Sequence, residues 1–108
     1  MKDKKQYFAK MLGYVKNAQK YIGGLTYEDF VKDEKTVSAC AFAIFQIGEQ
    51  TGKFDQKERE RYPIIPWIEL RGLRNRIVHE YDSVDSIILW DIMKNYLPKL
   101  ASDIEQIL

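Results

Sequence analysis

The chain has 108 residues, with 17 Lys and Arg against 16 Asp and Glu, and a formal net charge of +1 at pH 7. Because domains typically contain about 100 to 150 residues, we expect one domain over residues 1–108, which leaves no room for a multidomain enzyme. The near-zero net charge gives no indication of a generally basic nucleic-acid or membrane-binding protein, so any phosphate-binding surface must be local.

The single cysteine, Cys40, excludes a disulfide within the chain and a zinc site built from several cysteines. A lone cysteine is also typical of a reducing compartment. The N-terminal segment carries scattered charges and lacks the apolar stretch of a signal peptide, and the longest mostly apolar run, 37–48, is too short to cross a bilayer. We therefore expect a cytoplasmic protein without a membrane role.

Apolar residues near the N-terminus recur at three- and four-residue spacing, which predicts a first helix over about 3–22. Gly23 and Gly24 are typical of a helix end. Thr26, with a carboxylate three residues later, is typical of a helix N-cap and predicts a short helix over about 27–31.

The segment 35–51 is apolar on most of its circumference and carries small residues that permit close contact with other helices. We expect this helix to lie at the centre of the bundle. Asp55 and Glu58 repeat the capping pattern and predict a short charged helix over about 55–61.

Pro66 suits the first turn of a helix, where its missing N–H needs no partner, and it opens a helix predicted over about 66–80. The residues expected on its inward face are Trp67, Leu70, Leu73 or Arg74, Ile77 and Val78.

The last predicted helix spans about 84–107, with Asp82 or Ser83 as its N-cap and a kink at Pro98, which removes a backbone hydrogen bond. No segment alternates with period two. The sequence therefore predicts an all-α up-and-down helical bundle.

The segment RGLRNRIVHEYD, residues 71–82, contains several polar side chains of the kinds that bind phosphate or transfer protons. A single histidine at a helix end more often caps or packs than reacts, but its neighbours here favour a functional interpretation. Arg74, Asn75, His79 and Tyr81 supply a cation, an amide, an imidazole that titrates near neutrality and a phenol. This combination suits phosphodiester chemistry.

The spacing of these residues resembles the RxxxxHxY signature of HEPN-domain ribonucleases, in particular the HepT-like toxins of HepT–MntA toxin–antitoxin pairs. The resemblance extends to IGEQTGK at 47–53, YPIIPW at 62–67, GLRNRIVHEYDSVD at 72–85 and LPKL at 97–100. It implies an HEPN-type bundle that cleaves RNA without a metal, through attack of the 2′-hydroxyl on the adjacent phosphate. No HExxH motif, P-loop or Gly-rich nucleotide fingerprint is present, so no cofactor is expected.

The chemistry of each side chain fits this reaction. His79 can exchange a proton with the 2′-oxygen or the leaving oxygen, and Arg74 can hold two phosphate oxygens and offset the charge of the transition state. Asn75, one turn before His79, can orient the imidazole or the scissile phosphate. Tyr81 can donate to a phosphate oxygen or stack on a base.

The spacing of Arg74 and His79 predicts a homodimer. Five residues correspond to about 140° around an ideal helix, so the two side chains share no face unless the helix loosens near its end. Each chain also has only one histidine, whereas in-line cleavage benefits from an acid and a base. A two-fold dimer would place both motifs in one composite groove.

The resemblance further implies a partner, an MntA-like nucleotidyltransferase antitoxin that neutralises the toxin by transferring adenylate to Tyr81. A rival hypothesis is a non-enzymatic helical module that only docks this nucleotidyltransferase. The presence of all four motif residues, Arg74, Asn75, His79 and Tyr81, favours the enzyme.

Other residues stay open at the level of sequence. Arg71 and Arg76 either contact RNA phosphates or face solvent. Glu49 either pairs with a motif arginine or marks the boundary between core and water. Trp67 and Trp90 fall on apolar arcs, so we expect packing rather than base stacking.

Overall fold

The computed structural model describes residues 4–79 and 85–108, and within these ranges the chain forms helices and no strand. This confirms the predicted all-α bundle. A π-helical segment, Ile92–Tyr96, joins the last two helices. In chain order the α-helices are α1 (Lys5–Ile22), α2 (Tyr27–Lys32), α3 (Glu34–Thr51), α4 (Gln56–Glu60), α5 (Trp67–His79), α6 (Ser86–Asp91) and α7 (Leu97–Ile107).

Local capping explains where the early helices begin and end. Thr26 accepts a hydrogen bond from the Asp29 backbone N–H at the start of α2. Asp55 and Glu58 form the predicted capping box at α4, each side chain accepting from the other residue's backbone N–H at 2.8 Å. Gly23 ends α1 at a φ of 49°, a left-handed conformation that favours glycine.

The N-cap of the last helix was predicted wrongly. α6 begins at Ser86, two residues after the predicted start, and its N-cap is Asp85, whose carboxylate accepts from the backbone N–H groups of residues 87 and 88. The predicted caps, Asp82 and Ser83, lie outside the described residues. Asp85 is the N-cap because its carboxylate lies where the first free N–H groups of α6 point.

The irregularity expected at Pro98 takes the form of the π-helical segment. The chain passes through Ile92–Tyr96 and resumes as α7 at Leu97, which places Pro98 in the first turn of a helix. The fixed φ of proline suits this first-turn position.

The core lies between α1, α3 and the C-terminal helices. Its fully buried side chains include Phe8, Met11 and Val15 from α1, Ile44 and Ile47 from α3, and Leu97, Leu100 and Ile104 from α7. No helix of the described residues is long and apolar enough to cross a membrane.

Both tryptophans pack as expected. Trp67 lies against Phe8 and Phe54, and its indole N–H reaches the backbone oxygens of Arg59 and Tyr62, both at 3.1 Å. Trp90 contacts the rings of Tyr27 and Phe30. The contacts of Trp67 hold the segment that leads into α5 on one side of the bundle. The contacts of Trp90 hold α2 against α6 on the other side.

Cys40 is fully buried, and its thiol lies 3.9 Å from the Ala18 carbonyl oxygen. Burial raises the pKa of this thiol to about 11. The cysteine is therefore an inert packing residue.

Two expectations about burial were wrong. α3 was expected to be covered on all sides, but Phe42 is 57% exposed. Val78 was expected on the inward face of α5, but it is exposed as well, and Leu70 is the one fully buried residue of that helix. α5 packs mainly against α3. One face of this helix pair is therefore uncovered in the single chain.

Candidate functional site

Gly48 brings the backbones of α3 and α5 together. A methyl group at this position would overlap Cβ of Arg74 and lie 2.8 Å from the Leu70 carbonyl oxygen. Only glycine permits this approach without displacing α5. The close crossing places Arg74 directly beside the end of α3.

The Arg74 guanidinium is held by three groups. Its Nε donates to Oε1 of Glu49 at 2.5 Å, and its Nη1 donates to Oδ1 of Asn75 at 2.9 Å. Its Cζ lies 5.6 Å from the centre of the Phe45 ring, a distance typical of a cation–π contact. The side chain stays 35% exposed. Of five N–H donors, these contacts with described residues use two, so others remain for an anion.

His79 is the last residue of α5 and is exposed to solvent. The helix is regular up to this residue, so it does not loosen between Arg74 and His79. An ideal helix turns about 140° over these five residues, and the imidazole therefore does not share the face of the guanidinium within one chain. Asn75 lies one turn before His79, and its amide oxygen is directed to Arg74.

The other predicted site residues are distributed as follows. Arg71 is exposed, one turn before Arg74 and Asn75 on the same side of α5. Arg76 lies on another side and lines the groove between α5 and α6 together with Asp85 and Ile92. Tyr81 lies outside the described residues. Among residues 4–79 and 85–108, no three His, Cys, Asp or Glu side chains are grouped as metal ligands would be.

The role of Glu49 was open at the level of sequence, and the central position predicted for the helix over 35–51 implied that its residues Phe42 and Phe45 are buried. The structure places Glu49 in the ion pair with Arg74 and leaves Phe45 half-buried beneath the guanidinium. A lone carboxylate that directly follows a glycine in an apolar helix is the signal that points to this contact. Which residue pairs with Glu49 depends on how α3 and α5 cross, and the local sequence does not encode that crossing.

The chain is an all-α bundle in which one helix carries both Arg74 and His79, and comparison with known proteins identifies the family. The model of the family described as "Ribonuclease HepT-like" matches residues 11–107. The chain belongs to this family.

Several relatives match over most of their length. A Methanocaldococcus jannaschii protein named "Putative RNase MJ0125" is 29% identical over 107 residues, which cover 99% of this chain and 92% of that protein. "Putative RNase TTE0752" of Caldanaerobacter subterraneus subsp. tengcongensis is 32% identical over 87 residues, 81% of this chain and 78% of that protein. The "Probable ribonuclease HepT" of Thermococcus cleftensis is 28% identical over 103 residues, 95% of this chain and 94% of that protein. No solved structure matches the chain.

Proposed function

We propose that this protein is a toxin-like, metal-independent endoribonuclease with Arg74 and His79 as catalytic residues and Asn75 and Tyr81 assisting. The observation that carries the proposal is the Arg74 guanidinium, which is oriented by three contacts, partly exposed, and located on the helix that ends at an exposed His79. Membership of a ribonuclease family gives this arrangement its chemical context.

In the proposed reaction the 2′-oxygen of RNA attacks the adjacent phosphorus while a base removes its proton. The new bond joins phosphorus to O2′, the bond to O5′ breaks, and an acid protonates the leaving O5′. The products are a 2′,3′-cyclic phosphate and a 5′-hydroxyl end. His79 moves a proton, and Arg74 binds the non-bridging oxygens, whose charge increases in the transition state. Arg71 and Arg76 are candidates for contacts with the flanking phosphates.

The site is proposed to be complete only in a homodimer. Each chain supplies one histidine, and α5 stays helical between Arg74 and His79. The face of α3 and α5 that carries Arg74 also carries apolar groups: Phe42 is exposed, its ring lies 6.5 Å from that of Phe45, and Val78 is exposed one turn after Arg74. A second copy seated on this face would bury them and bring two motifs together.

Tyr81 is the proposed regulatory target of an MntA-like nucleotidyltransferase in the cytoplasm. Adenylate on this phenol, two residues after His79 in the sequence, would add volume and negative charge to the motif and so repel an RNA phosphate. The test is incubation with the partner and ATP followed by mass spectrometry. One AMP on the wild-type chain and none on Tyr81→Phe would support the assignment, and AMP retained on Tyr81→Phe would refute it.

The function itself is tested by expressing the protein without a partner, beside His79→Ala. We expect new RNA 5′-hydroxyl ends with the wild type alone, and purified protein should cleave equally well in the presence of EDTA. Cleavage that EDTA abolishes would contradict metal independence. A wild type that yields no more ends than His79→Ala, yet binds the nucleotidyltransferase, would instead establish the non-enzymatic binding module.

A further inference from the structure

Glu49 is the carboxylate in direct contact with the candidate phosphate-binding arginine. The side chains of Glu49 and Arg74 are 40% and 35% exposed, and their atoms Oε1 and Nε are 2.5 Å apart. In the single chain, an ion pair as exposed as this one contributes little to the stability of the fold. A carboxylate next to a phosphate-binding cation also weakens RNA binding by repulsion. Neither the stability of the single chain nor RNA binding therefore accounts for this residue.

The geometry indicates that Glu49 instead acts on the orientation of the Arg74 guanidinium. Glu49 occupies Nε on one edge, Asn75 occupies one hydrogen of Nη1, and Phe45 lies against the group. In its contacts with described residues the guanidinium uses one hydrogen of Nη1 and none of Nη2, which leaves donors for two oxygens of one phosphate. A long, flexible arginine side chain is thereby reduced to a narrow range of directions.

We propose that Glu49 is a positioning residue for RNA cleavage, which holds Arg74 so that its Nη1–Nη2 end faces the scissile phosphate. This inference rests on the proposed ribonuclease function. Glu49 acts through Arg74 and does not touch RNA. Its removal should therefore separate two quantities: kcat falls because Arg74 loses its orientation, whereas RNA affinity does not fall because a repulsive charge has been removed.

The experiment compares the wild type with Glu49→Ala, Glu49→Gln and a charge-matched control, Glu105→Gln, which removes an exposed glutamate from α7. The substrate is a fluorescently labelled oligoribonucleotide of mixed sequence, for which kcat and KM are measured separately. The Kd is measured for the same oligonucleotide with 2′-deoxy residues throughout, which cannot be cleaved by this route. Thermal unfolding confirms that each variant is folded.

We expect Glu49→Ala to lower kcat by about 10- to 100-fold, as displacement of a transition-state contact does, with the Kd unchanged or lower. Glu49→Gln keeps an acceptor for Nε and should retain more of kcat than Glu49→Ala. Glu105→Gln should behave as the wild type. If Glu49→Ala does not fold, the kcat and Kd of Glu49→Gln decide the question in the same way.

A wild-type kcat in Glu49→Ala would overturn the inference while leaving the ribonuclease function intact. A higher Kd with unchanged kcat would also overturn it, because Glu49 would then support binding rather than orientation. A wild type that cleaves no better than His79→Ala would refute the proposed function, and the role of Glu49 with it.

Discussion

Among single residues, Gly48 determines how closely α3 approaches α5. A side chain there would overlap Arg74 and press on the Leu70 carbonyl, which is part of the α5 backbone and cannot move alone. The glycine therefore links the stability of the helix pair to the position of the candidate catalytic arginine.

We expect Gly48→Ala to lower the free energy of unfolding by about 1 to 3 kcal/mol, the usual cost of forcing extra volume into a packed contact, and to lower RNA cleavage. Chemical denaturation measures the first effect and the oligoribonucleotide assay the second.

The matched control is Gly13→Ala. Gly13 lies within α1 and has open space around it, so alanine should raise stability by about 0.5 to 1 kcal/mol through the lower entropy of the unfolded chain. Equal effects of the two substitutions would contradict the proposed close approach at Gly48.

At the level of helices, the capping box of α4 is one local arrangement whose contribution to stability depends on pH. The backbone N–H of Glu58 lowers the pKa of Asp55, and the backbone N–H of Asp55, followed by the Lys4 ammonium, lowers the pKa of Glu58. A lowered pKa in the folded state means that the stabilisation is present above the unfolded pKa, about 4, and is lost as pH falls through the folded value.

We therefore expect the melting temperature of the wild type to fall on acidification below about pH 4, and Asp55→Asn to lose less over that range. Asparagine caps helices about as well as aspartate but does not titrate, so stability at pH 7 should change little. Thermal unfolding from pH 7 to pH 3 measures both. An unchanged acid slope in Asp55→Asn would show that this carboxylate does not contribute.

Helix capping also shows what local sequence can predict. Thr26 and the Asp55–Glu58 pair act over three residues, and the structure confirms them. At α6, three candidate caps stand within four positions, Asp82, Ser83 and Asp85. Spacing alone could not select Asp85.

Features that depend on contacts between distant parts of the chain could not be predicted, for a different reason. The ion pair of Glu49 and Arg74 joins residues 25 positions apart, and it depends on how two helices cross. The exposure of Phe42 and Val78 depends on what covers α3 and α5. An apolar pattern shows that a surface avoids water, but it does not distinguish the core of one chain from an interface between two.

At the scale of the whole molecule, we propose that two copies of the chain together form one site for RNA cleavage. The claim follows from a single histidine per chain, an α5 that keeps His79 away from the face of Arg74, and the uncovered apolar groups around Arg74. If cleavage needs an acid and a base from different subunits, one defective subunit should inactivate the dimer.

The direct test is to refold wild-type and His79→Ala chains together in known ratios and to measure cleavage at constant total protein. If both histidines are needed, activity follows the fraction of wild-type homodimers and is about one quarter at an equal mixture. Light scattering verifies that dimers form. An activity of about one half at the equal mixture, which independent subunits would give, would contradict the composite site, and so would full activity in a monomer.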